Sequence, residues 1–132
     1  MTFTLHPKLE ADAHVATDWP LCQVLVMNDA RYPWLVLVPR RDGMTEVTAL
    51  EAPDRAQLID EIARAGRLVQ NLPGVTKLNI GALGNLVRQL HVHVVGRHQG
   101  DPAWPGPVWG HSPGVPYSAD ALARILELVR AG

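Results

Sequence analysis

The chain has 132 residues, enough for one domain with its own core. Twelve basic against thirteen acidic residues leave a net charge of −1, which argues against a general nucleic-acid coat protein, so an anionic ligand has to be met by local donors. The one cysteine, Cys22, excludes an internal disulfide, and no apolar span approaches the ~18 residues that a membrane helix requires.

The start, Met1 to Pro7, lacks the basic region and apolar run of a signal peptide, which makes the cytoplasm the expected compartment. Lys8 to Ala13 suits a short helix. Leu21-Cys22-Gln23-Val24-Leu25-Val26-Met27 reads as a strand ended by the turn formers Asn28 and Asp29. Within it Cys22 is expected to be a small buried hydrophobe. Tyr32-Pro33 precede a second apolar run, Trp34 to Val38, stopped by Pro39. The link between the runs has hairpin length, and their near-continuous apolarity predicts burial on both faces. Thr45 to Leu50 reads as a short strand or turn.

Pro53-Asp54-Arg55-Ala56-Gln57 has the form of a helix start, with Asp54 as N-cap and Gln57 completing a capping-box pair. Leu58, Ile62, Ala65 and Val69 follow at helical spacing and predict a helix over 54–71, halted by Pro73-Gly74. Thr76 to Ile80 is a third strand. It enters the loop Gly81-Ala82-Leu83-Gly84-Asn85.

The stretch Arg88-Gln89-Leu90-His91-Val92-His93-Val94-Val95-Gly96-Arg97 then alternates in polarity. Alternation of period two predicts a half-buried strand that sends Leu90, Val92 and Val94 into a core and Gln89, His91 and His93 to the other face. Arg97 is expected at its end as a solvated charge. Residues 98–117 are rich in Pro, Gly and Trp, which predicts an extended tail without regular structure crossing a surface. Ser118 caps a final helix over about 118–131, with Leu122, Ile125, Leu126 and Val129 on one face. The order strand–strand–helix–strand–strand–helix predicts an α+β fold in a single domain, 1–132, with an antiparallel sheet and helices on one side.

Three chemistries compete for His91 and His93. They could be surface histidines on a half-exposed strand. They could share a metal ion, with His98, Asp101 or His111 as third ligand. Or one imidazole could attack phosphorus while the other gives a proton to the leaving group and later activates water. Gly81 and Gly84 would then shape a loop of inward N–H groups, with Asn79 and Asn85 adding amides for the phosphate oxygens. Trp34 reads as core. Trp104 and Trp109 read as anchors for the tail or as a wall for a nucleotide base.

Gln89-Leu90-His91-Val92-His93-Val94-Val95 resembles the histidine triad signature, in which three histidines alternate with apolar residues. Val36-Leu37-Val38-Pro39 is similar to the family's proline-ended strand, Asn79 to Gly84 to its phosphate loop, and Trp104-Pro105-Gly106 to the tail of some branches. The likeness covers roughly residues 20–110. It implies an α+β homodimer that hydrolyses or transfers nucleoside phosphoryl groups through a nucleotidyl-histidine. His91 falls on the nucleophile, and His93 on the third triad member, which contacts phosphate and assists the leaving group. Gln89 stands where the family has its first histidine, yet its backbone carbonyl can still orient His91. Leu86 replaces a frequent Ser or Thr, and Arg40 and Arg41 stand where a further histidine is common. Asn28 falls where the family contacts ribose, and Gly84 and Asn85 on the phosphate loop.

The resemblance therefore implies a hydrolase or nucleotidyl transferase whose substrate is a dinucleoside polyphosphate, a nucleoside phosphoramidate or a similar AMP-linked compound. It implies a small-molecule nucleotide as partner, neither nucleic acid nor membrane, and no required cofactor beyond a divalent cation accompanying the nucleotide. The rivals are a nucleotide-binding protein of the same fold with little catalysis and a histidine-ligated metalloprotein.

Overall fold

The computed structural model describes residues 3–132. Its elements run α1 (Pro7–Asp12), β1 (Ala13–Asp18), β2 (Cys22–Met27), β3 (Trp34–Pro39), a 3-10 turn (Val47–Ala49), α2 (Ala52–Gln70), β4 (Lys77–Gly81), β5 (Val92–Arg97) and α3 (Ala119–Ala131). The strands form one antiparallel sheet in the order β1-β2-β3-β5-β4. The fold is thus α+β, as the element order predicts.

The sheet is covered on both faces. On one side Val24, Val26, Leu35, Leu37, Val92 and Val94 pack with Leu58, Ala65 and Val69 of α2 and Val129 of α3. On the other, Leu25, Trp34, Val36, Val38 and Val95 lie beneath Leu9 of α1 and Ala103 and Val108 of the tail. This two-sided cover is why β3 is buried at every position and why its sequence is apolar without alternation. It also places short α1 opposite the longer helices, so the helices are not all on one side.

Strand β1 carries almost no hydropathy signal and was not expected. Its inward residues are the small Ala13 and Ala16, its larger Val15 is 43 % exposed, and a bulge falls between Val15 and Thr17. It becomes a strand because β2 offers it a ladder of hydrogen bonds. Thr45 to Leu50 settles as the 3-10 turn.

Helix α2 begins two residues before Asp54, with Glu51 at the N-cap and Pro53 in the first turn. Neither member of the expected capping box closes one. Asp54 instead receives both prongs of Arg41, at 2.7 and 2.9 Å, and Gln57 donates to Glu61 at 2.6 Å. As the third residue of α2, Asp54 lies past the cap position, and its carboxylate serves a charge-assisted, two-pronged pair instead. The buried carboxylate of Glu61 accepts the backbone N–H groups of Leu21 and Cys22, each at 2.8 Å. That bond pair ties α2 to the start of β2. Beside Glu61, Cys22 is fully buried, and burial followed by the neighbouring carboxylate pushes its thiol pKa well up. It is inert packing, as expected.

The histidine strand is shorter than its alternation predicts. β5 starts at Val92, and Gln89 to His91 approach it as irregular chain. The N–H of Leu90 donates to Met44 O, outside the sheet, while Gln89 bonds the N-terminal segment. Ladder pairing with β3 therefore begins only at Val92. The face assignment survives: Leu90, Val92 and Val94 enter the α2-side core.

The tail differs from its expectation. It has no helix or strand over 98–117, but residues 99–106 and 108–112 are a succession of turns and bends, not an extended strap. Asp101 gathers them by accepting the N–H groups of His98 and Trp104 at 3.2 and 2.8 Å. Ser118 caps α3 as predicted, accepting from Ala121 N–H at 3.2 Å. Among the described residues, no helix is long and apolar enough to cross a membrane.

Candidate active site

Between α1, the loop after β4 and the tail lies a cavity of about 810 Å³, with His91 and His93 on its floor. Asn28, Gly84 and Asn85 line it as well. Five of the sequence-predicted residues are thus brought together. Gly84 turns the loop with φ +70°, a conformation that side-chain-bearing residues rarely adopt.

The two imidazole rings stand edge to face with centroids 4.9 Å apart. Their hydrogen bonds fix opposite tautomers. His91 Nδ1 is 2.7 Å from the carbonyl oxygen of Gln89, which can only accept, so Nδ1 carries the proton and Nε2 keeps a free lone pair. His93 Nδ1 lies 3.0 Å from the indole Nε1 of Trp34, which can only donate, so His93 carries its proton on Nε2. Neither Nε2 has a hydrogen-bond partner among the described residues.

Register explains why Trp34 arrives there. Val36 pairs with His93 and Trp34 with Val95, so Trp34 is the diagonal neighbour of His93 on the same sheet face. Trp34 was expected simply as core. It is buried, but it also lines the cavity. The rings of Trp34 and Trp109 contact His93 edge-on, at 5.7 and 5.5 Å between centroids. In this enclosure burial, with a lesser push from His91, lowers the His93 pKa to about 4. His93 is neutral at neutral pH.

The remaining predicted residues lie elsewhere. Gln89 turns its side chain away from the imidazoles, accepting from His6 N–H and donating to Thr4 O, each at 2.8 Å. This lashes the N-terminal segment, and hence α1, against the site; Lys8, Leu9 and Asp12 of α1 line the cavity. Asn79 does not reach the cavity, because its Oδ1 accepts from Arg97 Nη1 at 2.7 Å. Trp104 is also off the cavity, against the Arg97 guanidinium at 5.7 Å. The tail tryptophan on the wall is Trp109.

Arg97 is not the solvated charge expected at a strand end. It is 1 % exposed, bonding Asp101 through two nitrogens and the carbonyl of Gly106. The tail's far end is fastened too: Tyr117 N–H donates to Asn28 Oδ1 at 3.0 Å and Ala30 N–H to Val115 O at 2.6 Å. Asn28 therefore faces the cavity with its carbonyl oxygen already engaged.

The third ligands considered for a metal are not assembled. Both carboxylate oxygens of Asp101 bind Arg97, while His98 and His111 bond Gln99 O and Ser112 Oγ through Nδ1. Among the described residues, no three His, Cys, Asp or Glu side chains gather closely enough to hold an ion.

Comparison with known proteins agrees with this geometry. A family model described as the HIT domain matches residues 8–100. Curated protein sequences yield no match. Among solved structures, a histidine triad protein from Bradyrhizobium japonicum is 44% identical, with TM-score 0.96 over 99% of this chain and 98% of its own. One from Sinorhizobium meliloti 1021 is 44% identical, with TM-score 0.95 over 98% and 96%. One from Marinobacter aquaeolei VT8 is 43% identical, with TM-score 0.95 over 99% and 96%. A triad-like strand aimed into a cavity, a family model spanning most of the fold and near-complete superposition on three histidine triad proteins lead to one assignment: the chain belongs to the histidine triad (HIT) domain family.

Proposed function

We propose that the chain is a hydrolase or nucleotidyl transferase that cleaves an AMP-linked substrate at its α-phosphate through a covalent intermediate on His91. Dinucleoside polyphosphates and nucleoside phosphoramidates are the substrate types this reading covers. One observation carries it: Gln89 O holds the proton of His91 on Nδ1, leaving Nε2 as an oriented nucleophile. In the first half-reaction Nε2 bonds to phosphorus and the bond to the leaving group breaks, its electron pair departing with that group. In the second, water attacks phosphorus, the P–Nε2 bond breaks back to His91, and a proton passes to solvent.

The cavity supports a nucleotide of this kind. Trp109, Leu83 and Val108 supply an apolar wall for a base, and the Gly84 turn with Asn85 supplies polar groups beside the imidazoles. The same reading makes the protein a homodimer. Strand β4 is an edge of the sheet, and Ile80, Leu83 and Leu86 on and after it are exposed. Light scattering on the purified chain decides that point.

Quenched-flow mass spectrometry with a panel of AMP-linked compounds, with and without chelator, tests the chemistry. A protein adduct of one nucleotidyl group is expected, and His91→Ala abolishes both adduct and turnover while nucleotide binding survives. Near-native turnover in His91→Ala overturns the nucleophile. Binding without adduct or product assigns the chain to nucleotide binding with little catalysis, a reading favoured by Leu86, which is 87 % exposed and stands where the family often has a hydroxyl.

A further inference from the structure

We infer that Trp34 is a positioning residue that restricts His93 to the role of a neutral hydrogen-bond donor, so that the first half-reaction proceeds without a proton from His93. The inference rests on the proposed attack by His91 and adds to it a requirement on the substrate. The leaving group must depart without a proton from the third triad position. Phosphate and pyrophosphate leaving groups, or an amine already protonated when it leaves, satisfy this; an alkoxide does not.

Geometry carries the inference. The indole Nε1–H of Trp34 points at His93 Nδ1 from 3.0 Å in a buried contact. To act as a general acid and be reprotonated, His93 would pass through the imidazolium, whose Nδ1–H would face the indole N–H with no acceptor between them. Two donors cannot share one hydrogen bond, and a buried unpaired donor is costly. Among the described residues, no side-chain carboxylate is placed to offset that charge. Among the described residues, His91 is the one titratable ring against His93, and it is a potential like charge. The other ionisable groups around the cavity are engaged with one another: Lys8 pairs with Asp12 at 3.0 Å, and Asp29 with Arg31 at 2.9 Å. The depressed pKa of His93 agrees with the same picture.

What remains to His93 is its Nε2–H, fixed in direction by the bond on the other side of the ring. A neutral donor aimed at a non-bridging phosphoryl oxygen stabilises the negative charge gathering there without changing protonation state. Trp34 thereby acts on the reaction through His93 and touches no reacting atom.

Trp34→Phe removes the indole donor and keeps an aromatic ring in place. The first readout is the ring ¹⁵N spectrum of His93 in the nucleotide-free protein from pH 4 to 8. Wild type is expected to show a protonated Nε2 and a bare Nδ1 throughout the upper part of that range. Trp34→Phe is expected to mix the tautomers and raise the His93 midpoint by about one unit. The second readout is the single-turnover rate of adduct formation across AMP esters of graded leaving-group acidity. Wild type should depend steeply on acidity at every pH, and Trp34→Phe should flatten for poor leaving groups as the pH falls.

A wild-type spectrum with Nδ1 protonated overturns the inference outright, even if the variant fails to fold. A variant whose spectrum and leaving-group dependence match wild type also overturns it. Absence of any nucleotidyl adduct in wild type defeats the proposed enzyme instead, and leaves the tautomer result to be read from the spectra alone.

Discussion

Arg97 and Asp101 form a two-pronged ion pair, at 2.7 and 2.9 Å, with both side chains only 1 % exposed. The pair joins the last residue of β5 to the first turn of the tail. Through the carbonyl of Gly106 and the N–H groups of His98 and Trp104, it sets the path that delivers Trp109 to the cavity. Removing one partner strands the other as a buried charge. Asp101→Asn is therefore expected to lower unfolding free energy by about 3 kcal/mol in urea titrations. A loss below ~0.5 kcal/mol, the range of ordinary surface substitutions, would show the pair to be dispensable.

The same pair sets an acid limit. Arg97, more than burial opposes it, holds the Asp101 pKa down at about 2 from an ordinary value of 3.8. Between those values the unfolded chain binds a proton that the folded one refuses. The contribution is present in full above pH ~4 and is lost as pH falls through about 2. Asp101→Asn should remove this part of the pH dependence, which melts at successive pH values measure directly.

His93 acts on stability in a higher window. Its folded pKa, about 4, lies below the unfolded value near 6.5. On acidification from 6.5 to 4 the unfolded state takes up a proton first, so stability falls across that interval and is greatest above it. His93→Gln should flatten the dependence between pH 6.5 and 4. An unchanged slope would mean that His93 titrates normally in the folded protein.

Gly96 in β5 is required by packing. A Cβ there would sit 2.7 Å from Val69 Cγ1, 3.0 Å from Val75 Cγ2 and 3.1 Å from Pro33 Cγ. Gly96→Ala forces α2 or the β2–β3 link away from the sheet three residues beyond His93. The expected cost is about 1–3 kcal/mol by chemical denaturation. A variant as stable as wild type would show that the helix can move without penalty.

Gln89 tests how the N-terminal segment serves the site. Gln89→Ala loses the bonds to His6 N–H and Thr4 O but keeps the backbone carbonyl that orients His91. KM is expected to rise several-fold as α1 loosens, while the nucleotidyl adduct still forms. Loss of the adduct with KM unchanged would place the side chain in the chemistry itself.

Much of this was legible in the residues, and the reasons are local. Period-two alternation around His91 and His93 announced their shared face, because a pleat leaves no other arrangement. Helical spacing of Leu58, Ile62, Ala65 and Val69 announced α2, and the hairpin of β2 and β3 followed from a link of hairpin length. Strand β1 was not legible, since Ala13 and Ala16 carry little hydropathy and their strand exists through its partner. Nor was the fate of Arg97, Asn79 and Trp104. Their sequence neighbours do not reveal that a carboxylate four residues on would be folded back onto the guanidinium, drawing Asn79 and Trp104 to it and away from the cavity.

Taken alone, the order of residues determined the family, the layered α+β architecture and the pair of imidazoles, because these depend on periodicity and on short spacings along the chain. Only the folded chain decided the tautomer of each imidazole, the partner of each buried charge and which tryptophan meets the cavity. Those outcomes depend on groups brought together from distant positions, 59 residues apart for Trp34 and His93. Hydrogen-bond direction is set by such encounters.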